Sequence, residues 1–154
     1  AGQNFGARKA DRVRRTVRDA AMISSVLMLI LTLACQIWPD VLVRAFAPDQ
    51  AVVDIGAGFL KVVSLNFLTT GLIFIASGTF QALGDTRPAL YGSLVRLAAF
   101  AGPAIWMSTQ PWVRLEYFWW LSATAVVIHC IVAMLLLRHQ LRIKLAPLGP
   151  AATV

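Results

Sequence analysis

Four apolar runs decide what this chain can fold into. Ala20–Trp38 and Val62–Leu83 contain no charged residue, Pro88–Ser108 contains only Arg96, and Tyr117–Leu137 contains only the titratable His129. Each is close to the ~20 residues that an α-helix needs to cross the hydrocarbon core of a bilayer. Together they take 83 of the 154 residues, which leaves no room for a separate soluble domain. Composition agrees, with 58% hydrophobic and 14% charged residues and a mean hydropathy of +0.71. A soluble domain carries roughly 25% charged residues to cover its surface, so a water-soluble enzyme of this size is excluded. The expected fold is all-α, a polytopic membrane protein of four transmembrane helices within residues 1–144. Residues 145–154, with two prolines and no charge, are expected to be a disordered tail.

The basic residues set an orientation. The formal net charge is +7, which invites a nucleic-acid reading, but the charges sit at helix ends and in short connections. That is the pattern of an anionic membrane surface, so the expected partner is the lipid bilayer and not nucleic acid. Arg8, Lys9, Arg12, Arg14, Arg15 and Arg18 precede the first span, Arg87 lies between the second and third, and Arg138, Arg142 and Lys144 follow the fourth. Only Arg44 and Arg114 occupy the opposite connections. The positive-inside rule then places both termini in the cytoplasm. Trp38, Trp112, Trp119 and Trp120 cluster at the expected outer interface, where amphipathic rings settle.

The connections carry their own signals. Residues 8–19 read as a basic amphipathic helix, with Ala10, Val13, Val17 and Ala20 spaced three or four apart, running directly into the first span. No small-residue cleavage site follows a signal-length apolar stretch, and a chain opening on Ala1 is expected to begin partway into a longer protein. Pro39 and Asp40 are expected to end the first span, with Val41–Phe46 an apolar interfacial turn. Gly84-Asp85-Thr86-Arg87-Pro88 is expected to be a tight cytoplasmic turn, with Pro88 opening the next helix.

No catalytic, nucleotide or metal signature is present. Gly56-Ala57-Gly58 lacks a third glycine, and HExxH, CxxC, Walker A and GxSxG sequences are missing, so no enzyme activity and no cofactor are expected. Cys35 and Cys130 lie inside apolar runs and read as small packing residues. Adjacent His129 and Cys130 point about 100° apart on a helix and cannot act as nucleophile and base; His129 reads as a packed or hydrogen-bonded residue, with proton handling the other possibility.

The informative polarity lies along the second span. Asn66, Thr70, Ser77 and Gln81 fall at about 0°, 40°, 20° and 60° on a helix, one narrow stripe. Ser25, Thr32 and Gln36 make a similar stripe on the first span. Polar stripes in lipid face protein or water, so each is either helix–helix glue or the wall of a hydrated transport cavity. On the cavity reading, Leu68, Leu72 and Phe74 are expected to be less accessible than the stripe. Arg96 lies about 12 Å beyond Pro88 at 1.5 Å per residue; it either snorkels to the cytoplasmic surface or faces a substrate path. Lys61 and Asp54 read as an interfacial anchor and its solvated neighbour. Gly78/Ala82 and Ala98/Gly102 are small pairs that allow close helix approach.

Read in order, these features resemble one family. Gly2-Gln-Asn-Phe-Gly-Ala7 before a basic helix is similar to a cytoplasmic loop of the multidrug and toxic compound extrusion (MATE) transporters. The likeness continues through Pro39, Leu42, Phe46, Asp49, Val52 and Phe59-Leu60-Lys61. It ends with Gly71, Gly78, Gln81, Gly84-Asp85-Thr86, Pro88, Arg96 and Pro103, covering about residues 1–140. The resemblance implies a twelve-helix fold of two six-helix bundles, of which this chain supplies helices nine to twelve, with upstream helices as its partners. It implies an efflux antiporter of a bacterial inner membrane that exchanges small organic, often cationic, substrates for Na⁺ or H⁺ by alternating access. The stripe and the depth of Arg96 make Asn66, Thr70, Ser77, Gln81 and Arg96 the substrate-path candidates, and the family's use of this helix face reinforces the stripe. One departure stands out. Some members carry a coupling aspartate where this chain has Thr70, and a tyrosine where it has Asn66, so the coupling ion is expected to bind outside this chain. The alternatives are a lipid-linked oligosaccharide flippase of the same superfamily, which needs a more cationic cavity, and a small non-transporting assembly subunit.

Overall fold

A computed structural model describes residues 1–47 and 49–148 as seven α-helices and a closing turn. They are α1 (Gly2–Gly6), α2 (Ala10–Ile37), α3 (Pro39–Arg44), α4 (Gln50–Ser64), α5 (Phe67–Ala82), α6 (Arg87–Ser108) and α7 (Leu115–Leu145). Leu145 ends α7 and is buried, and a 3-10 turn over Ala146–Leu148 follows, so residues 145–148 are ordered where disorder was expected; residues 149–154 lie outside the described residues. No strand occurs among the described residues. α2, α6, and α7 with its closing turn are each long and apolar enough to cross a membrane alone. α4 and α5 meet the same test only as a pair, bent by 49°. The chain is thus an all-α, multi-pass membrane protein, built inside out relative to a soluble one. Only Ala10, Val13, Val17 and Cys35 are buried on α2, whereas Ile23 is 70% exposed.

The second span departs from the straight helix expected over 62–83. Val62–Ser64 end α4, the axis turns at Leu65–Asn66, and α5 carries the remainder. α4 itself starts twelve residues earlier than that span, at Gln50, because Asp49 caps it by accepting the Ala51 N–H at 2.9 Å. No proline makes the bend. α2 sustains it, as described below.

Pro39 and Asp40 do more than the expectation gave them. α2 ends at Ile37 just before them, as expected, and they open a further helix as well, with Pro39 at the first position and Asp40 in the first turn, where a missing N–H and a negative charge are both favoured. α3 packs on α4, so that a Cβ on Gly56 would lie 2.8 Å from Val43 Cγ1.

α2 does run unbroken from its basic segment into its span, as expected. The stripe of Ala10, Val13 and Val17 covers protein and not a lipid surface. Ala10 and Val13 pack with Leu145, Phe5 and Leu141, and Val17 packs with Ala76, Phe80, Ala133 and Leu137. At 1.5 Å per residue, α2 and α7 are each over ~40 Å long against a ~30 Å core, so their paired ends stand clear of the hydrocarbon. Arg12, Arg14, Arg15 and Arg18 stay exposed there; Arg14 pairs with Asp11, and Arg15 and Arg18 with Asp19, all on the same helix.

Two helix ends share one geometry. Gly84, with φ +72°, donates to Gln81 O, and Asp85 N–H reaches back to Phe80 O, both at 3.0 Å. Arg8, with φ 56°, donates to Phe5 O, and Lys9 N–H reaches Asn4 O, both at 2.9 Å. Both are Schellman ends that need a left-handed residue. Glycine takes that conformation freely; arginine does not. Arg8→Gly is therefore expected to stabilise the chain by about 0.5–1 kcal/mol, and Gly84→Ala to destabilise it by about 1 kcal/mol. Thermal unfolding of the detergent-solubilised chain checks both, and a lower midpoint for Arg8→Gly would contradict the assignment.

The Gly84 corner is also held from α7. Asp85 Oδ1 accepts the Arg87 N–H at 3.2 Å and Oδ2 accepts Gln140 Nε2–H at 3.1 Å. Phe59 on α4 meets Trp119 edge-on at 5.6 Å, and Trp112 lies 6.3 Å from Trp106 and 6.1 Å from Tyr117. The tryptophans expected at one interface thus share the opposite end from the Gly84 corner.

Candidate functional site

The two polar stripes have different fates. On α2, Gln36 Nε2 donates to Lys61 O at 2.8 Å and to Ser64 Oγ at 3.0 Å. Thr32 Oγ1 lies 2.9 Å from Ser64 O and 2.8 Å from Met28 O, sharing its one proton between them. Lys61 and Ser64 stand in the last turn of α4, whose carbonyls lose their helical partners at the bend. The α2 stripe therefore supplies donors to broken backbone in a place where lipid offers none. It is glue, and of a specific kind.

The α5 stripe loses its first member. Asn66 is buried at the bend, where its carbonyl accepts Thr69 Oγ1–H and the Thr70 N–H, both at 2.8 Å. Thr70, Ser77 and Gln81 remain on one face, half-buried to exposed, and their side chains bond to no other described residue. Leu68 and Phe74, both expected to be withdrawn, are 38% and 68% exposed, and Phe74 borders this face. The opposite face of α5 holds Gly71, Ala76, Thr79 and Phe80, all buried. Gly71 lets α2 in close, since a Cβ there would lie 2.7 Å from Ser24 Oγ. Close approach falls at Gly56, Gly71 and Gly92, whereas Gly78 and Gly102 of the expected small pairs meet nothing within 4 Å.

Arg96 belongs to a separate groove between α6 and α7. Ser93, Arg96, Leu97 and Phe100 form one side, Ser122 and Ala125 the other, around about 330 Å³. Neither a carboxylate nor a hydrogen bond engages Arg96 among the described residues. One turn beyond Ala125, buried His129 presses its imidazole on Gly92, where a Cβ would lie 2.8 Å from Nε2. Its Nδ1 has no partner among the described residues. The structure thus separates Arg96 from the α5 stripe with which the sequence groups it. Nothing in the sequence alone singles out Ser93, Ser122 or Gly92, although 93/96/100 and 122/125/129 both repeat at helical spacing.

The described residues include no cluster of three His, Cys, Asp or Glu side chains that could hold a metal ion. Cys35 and Cys130 are unpaired and buried. The arrangement offers an uncharged polar face on α5 and a cationic groove between α6 and α7.

"Multidrug export protein MepA" of Staphylococcus aureus (strain N315) is 25% identical over 142 residues, which cover 92% of this chain and 31% of that protein. The chain therefore spans about a third of the length of this curated relative. No solved structure matches it. The sequence profile of the MatE family matches residues 1–106, from α1 to within two residues of the end of α6. With well over half of its length matched in this way, the chain belongs to the MatE family.

Proposed function

We propose that the chain forms the last four membrane-spanning segments of a multidrug efflux transporter. It exports small organic compounds in exchange for Na⁺ or H⁺, as a carrier and not an enzyme. The observation that carries this reading is the alignment of nearly the whole chain with a multidrug export protein, over helices that leave a polar face of α5 uncovered. Further helices of the same transporter close the cavity against that face. No Asp or Glu lies within the four expected spans, so the group that couples transport to the ion gradient is assigned to those other helices. The transporter lies in the cell membrane with the α1 and α7 ends in the cytoplasm, because ten of the fourteen Lys and Arg side chains fall on that side.

Topology is checked by reporter fusions. A fusion after residue 46 is expected to report the outer side and one after residue 144 the cytoplasm; the same side for both contradicts the orientation. Transport is checked by reconstitution. The protein that carries this chain within a twelve-helix sequence is expected to drive gradient-dependent dye efflux, and residues 1–154 alone are not. Dye efflux by residues 1–154 alone would overturn the proposal that other helices complete the path.

A further inference from the structure

The lone formal charge within the four expected spans is positive. Arg96 stands nine residues into α6, about 13 Å along its axis at 1.5 Å per residue. A guanidinium at that depth is costly without an anionic partner. None of the groove's lining residues is acidic. The nearest acid on either helix, Glu116, is six residues before Ser122 at the start of α7, about 9 Å away along the axis.

The rest of the groove is divided by chemistry. Ser93 Oγ donates to Ala89 O at 3.1 Å and so is committed to its own helix. Ser122 Oγ–H is bonded to no described residue and can donate into the groove. Leu97, Phe100 and Ala125 supply an apolar wall. His129 adds an unpartnered, buried Nδ1 one turn further along α7. About 330 Å³ suits a small ligand, at the lower end of ligand-pocket sizes.

We infer that the α6–α7 groove binds the single anionic head of a small amphiphile, a carboxylate or sulfonate. Arg96 holds the charge, Ser122 donates a hydrogen bond, and Leu97 and Phe100 take the apolar body. One guanidinium balances one negative charge; a phosphate dianion would leave the second uncompensated in a medium of low dielectric. Cations are disfavoured because the groove offers them only a like charge. This site rests on the transporter reading for its purpose, which is to admit anionic or zwitterionic substrates, but binding is measurable without transport.

The test uses the full chain in phosphatidylcholine nanodiscs, titrated with dansyl-labelled undecanoate and with the cationic dansylcadaverine. The anionic probe is expected to bind about tenfold more tightly than the cationic one. Arg96→Gln is expected to weaken the anionic probe about tenfold and leave the cationic probe unchanged, while Arg96→Lys stays within about threefold of the parent. Should Arg96→Gln fail to fold, thiol labelling of Ser122→Cys, with Cys35 and Cys130 replaced by alanine, carries the test. The anionic probe must slow that labelling. Equal binding of the two probes, an unchanged Arg96→Gln, or no protection at position 122 overturns the site. Displacement of the probe by phosphatidylglycerol in the disc overturns it in favour of lipid. Binding without dye efflux from the twelve-helix protein would instead count against the transporter reading alone.

Discussion

Gln36→Leu is expected to destabilise the chain by about 1–3 kcal/mol, although it places a more apolar residue within an apolar span. Hydropathy alone predicts a gain. The loss follows from the α4–α5 bend, where the Gln36 amide serves Lys61 O at 2.8 Å and Ser64 Oγ at 3.0 Å. Leucine matches the volume but removes both amide bonds and leaves that carbonyl only the longer one from Ser64 Oγ–H at 3.2 Å, in surroundings where water cannot replace the loss. Thr32→Val is expected to cost less, about 0.6 kcal/mol, since its proton is already shared with Met28 O. The two losses should not add, because both donors serve one turn of α4. Thermal unfolding in a mild detergent measures each. An unchanged midpoint for Gln36→Leu would mean that the bend is sustained some other way.

Gly92→Val is expected to cost about 1–3 kcal/mol by overpacking the α6–α7 seam. The first added carbon would lie 2.8 Å from His129 Nε2 and 2.9 Å from Cδ2, and His129 is buried on a helix that cannot step aside. The clash can be separated from a general intolerance of valine by adding His129→Ala. That substitution empties the space, so the double variant should be more stable than the sum of the single losses predicts, by about 1 kcal/mol. Strict additivity would show that Gly92 is not tight against His129.

How much of this was legible in the residues differs from element to element. The apolar runs are visible because hydropathy depends only on composition along the chain. The Gly84 corner is equally plain, since glycine after a helix marks a left-handed end. Arg8 adopts the same conformation with no such mark, because nothing in an arginine advertises it. The bend at Asn66 was hidden for a different reason. Hydropathy counts apolar residues and is blind to the direction of the axis, and the groups that pay for the turn are carbonyls, which every residue has. Thr32 and Gln36 could be seen as a stripe, but their partners could not.

The site divides along the same line. Thr70, Ser77 and Gln81 keep the face their spacing gives them, since α5 is an unbroken helix from Phe67. Asn66 fails because its angle was reckoned along a straight span, which the bend interrupts. Phe74 lies only about 20° beyond that arc, so size and apolarity are poor guides to its exposure. Arg96 was legible as a charge in an apolar run. Its neighbours Ser93 and Ser122 were not, because they join only when α6 and α7 fold against each other.

The central claim is that the open face of α5 lines a water-filled export path, and single cysteines test it most directly. They are placed on α5 of the twelve-helix protein, in a background where Cys35, Cys130 and any other native cysteine are replaced. A charged, water-soluble thiol reagent is expected to label positions 70, 74, 77 and 81, and to leave 66, 76, 79 and 80 unreacted. Exported dye should slow labelling at 70 and 77. Labelling that ignores this angular pattern, or that fails at both 70 and 77, would contradict the claim and leave α5 a packing helix.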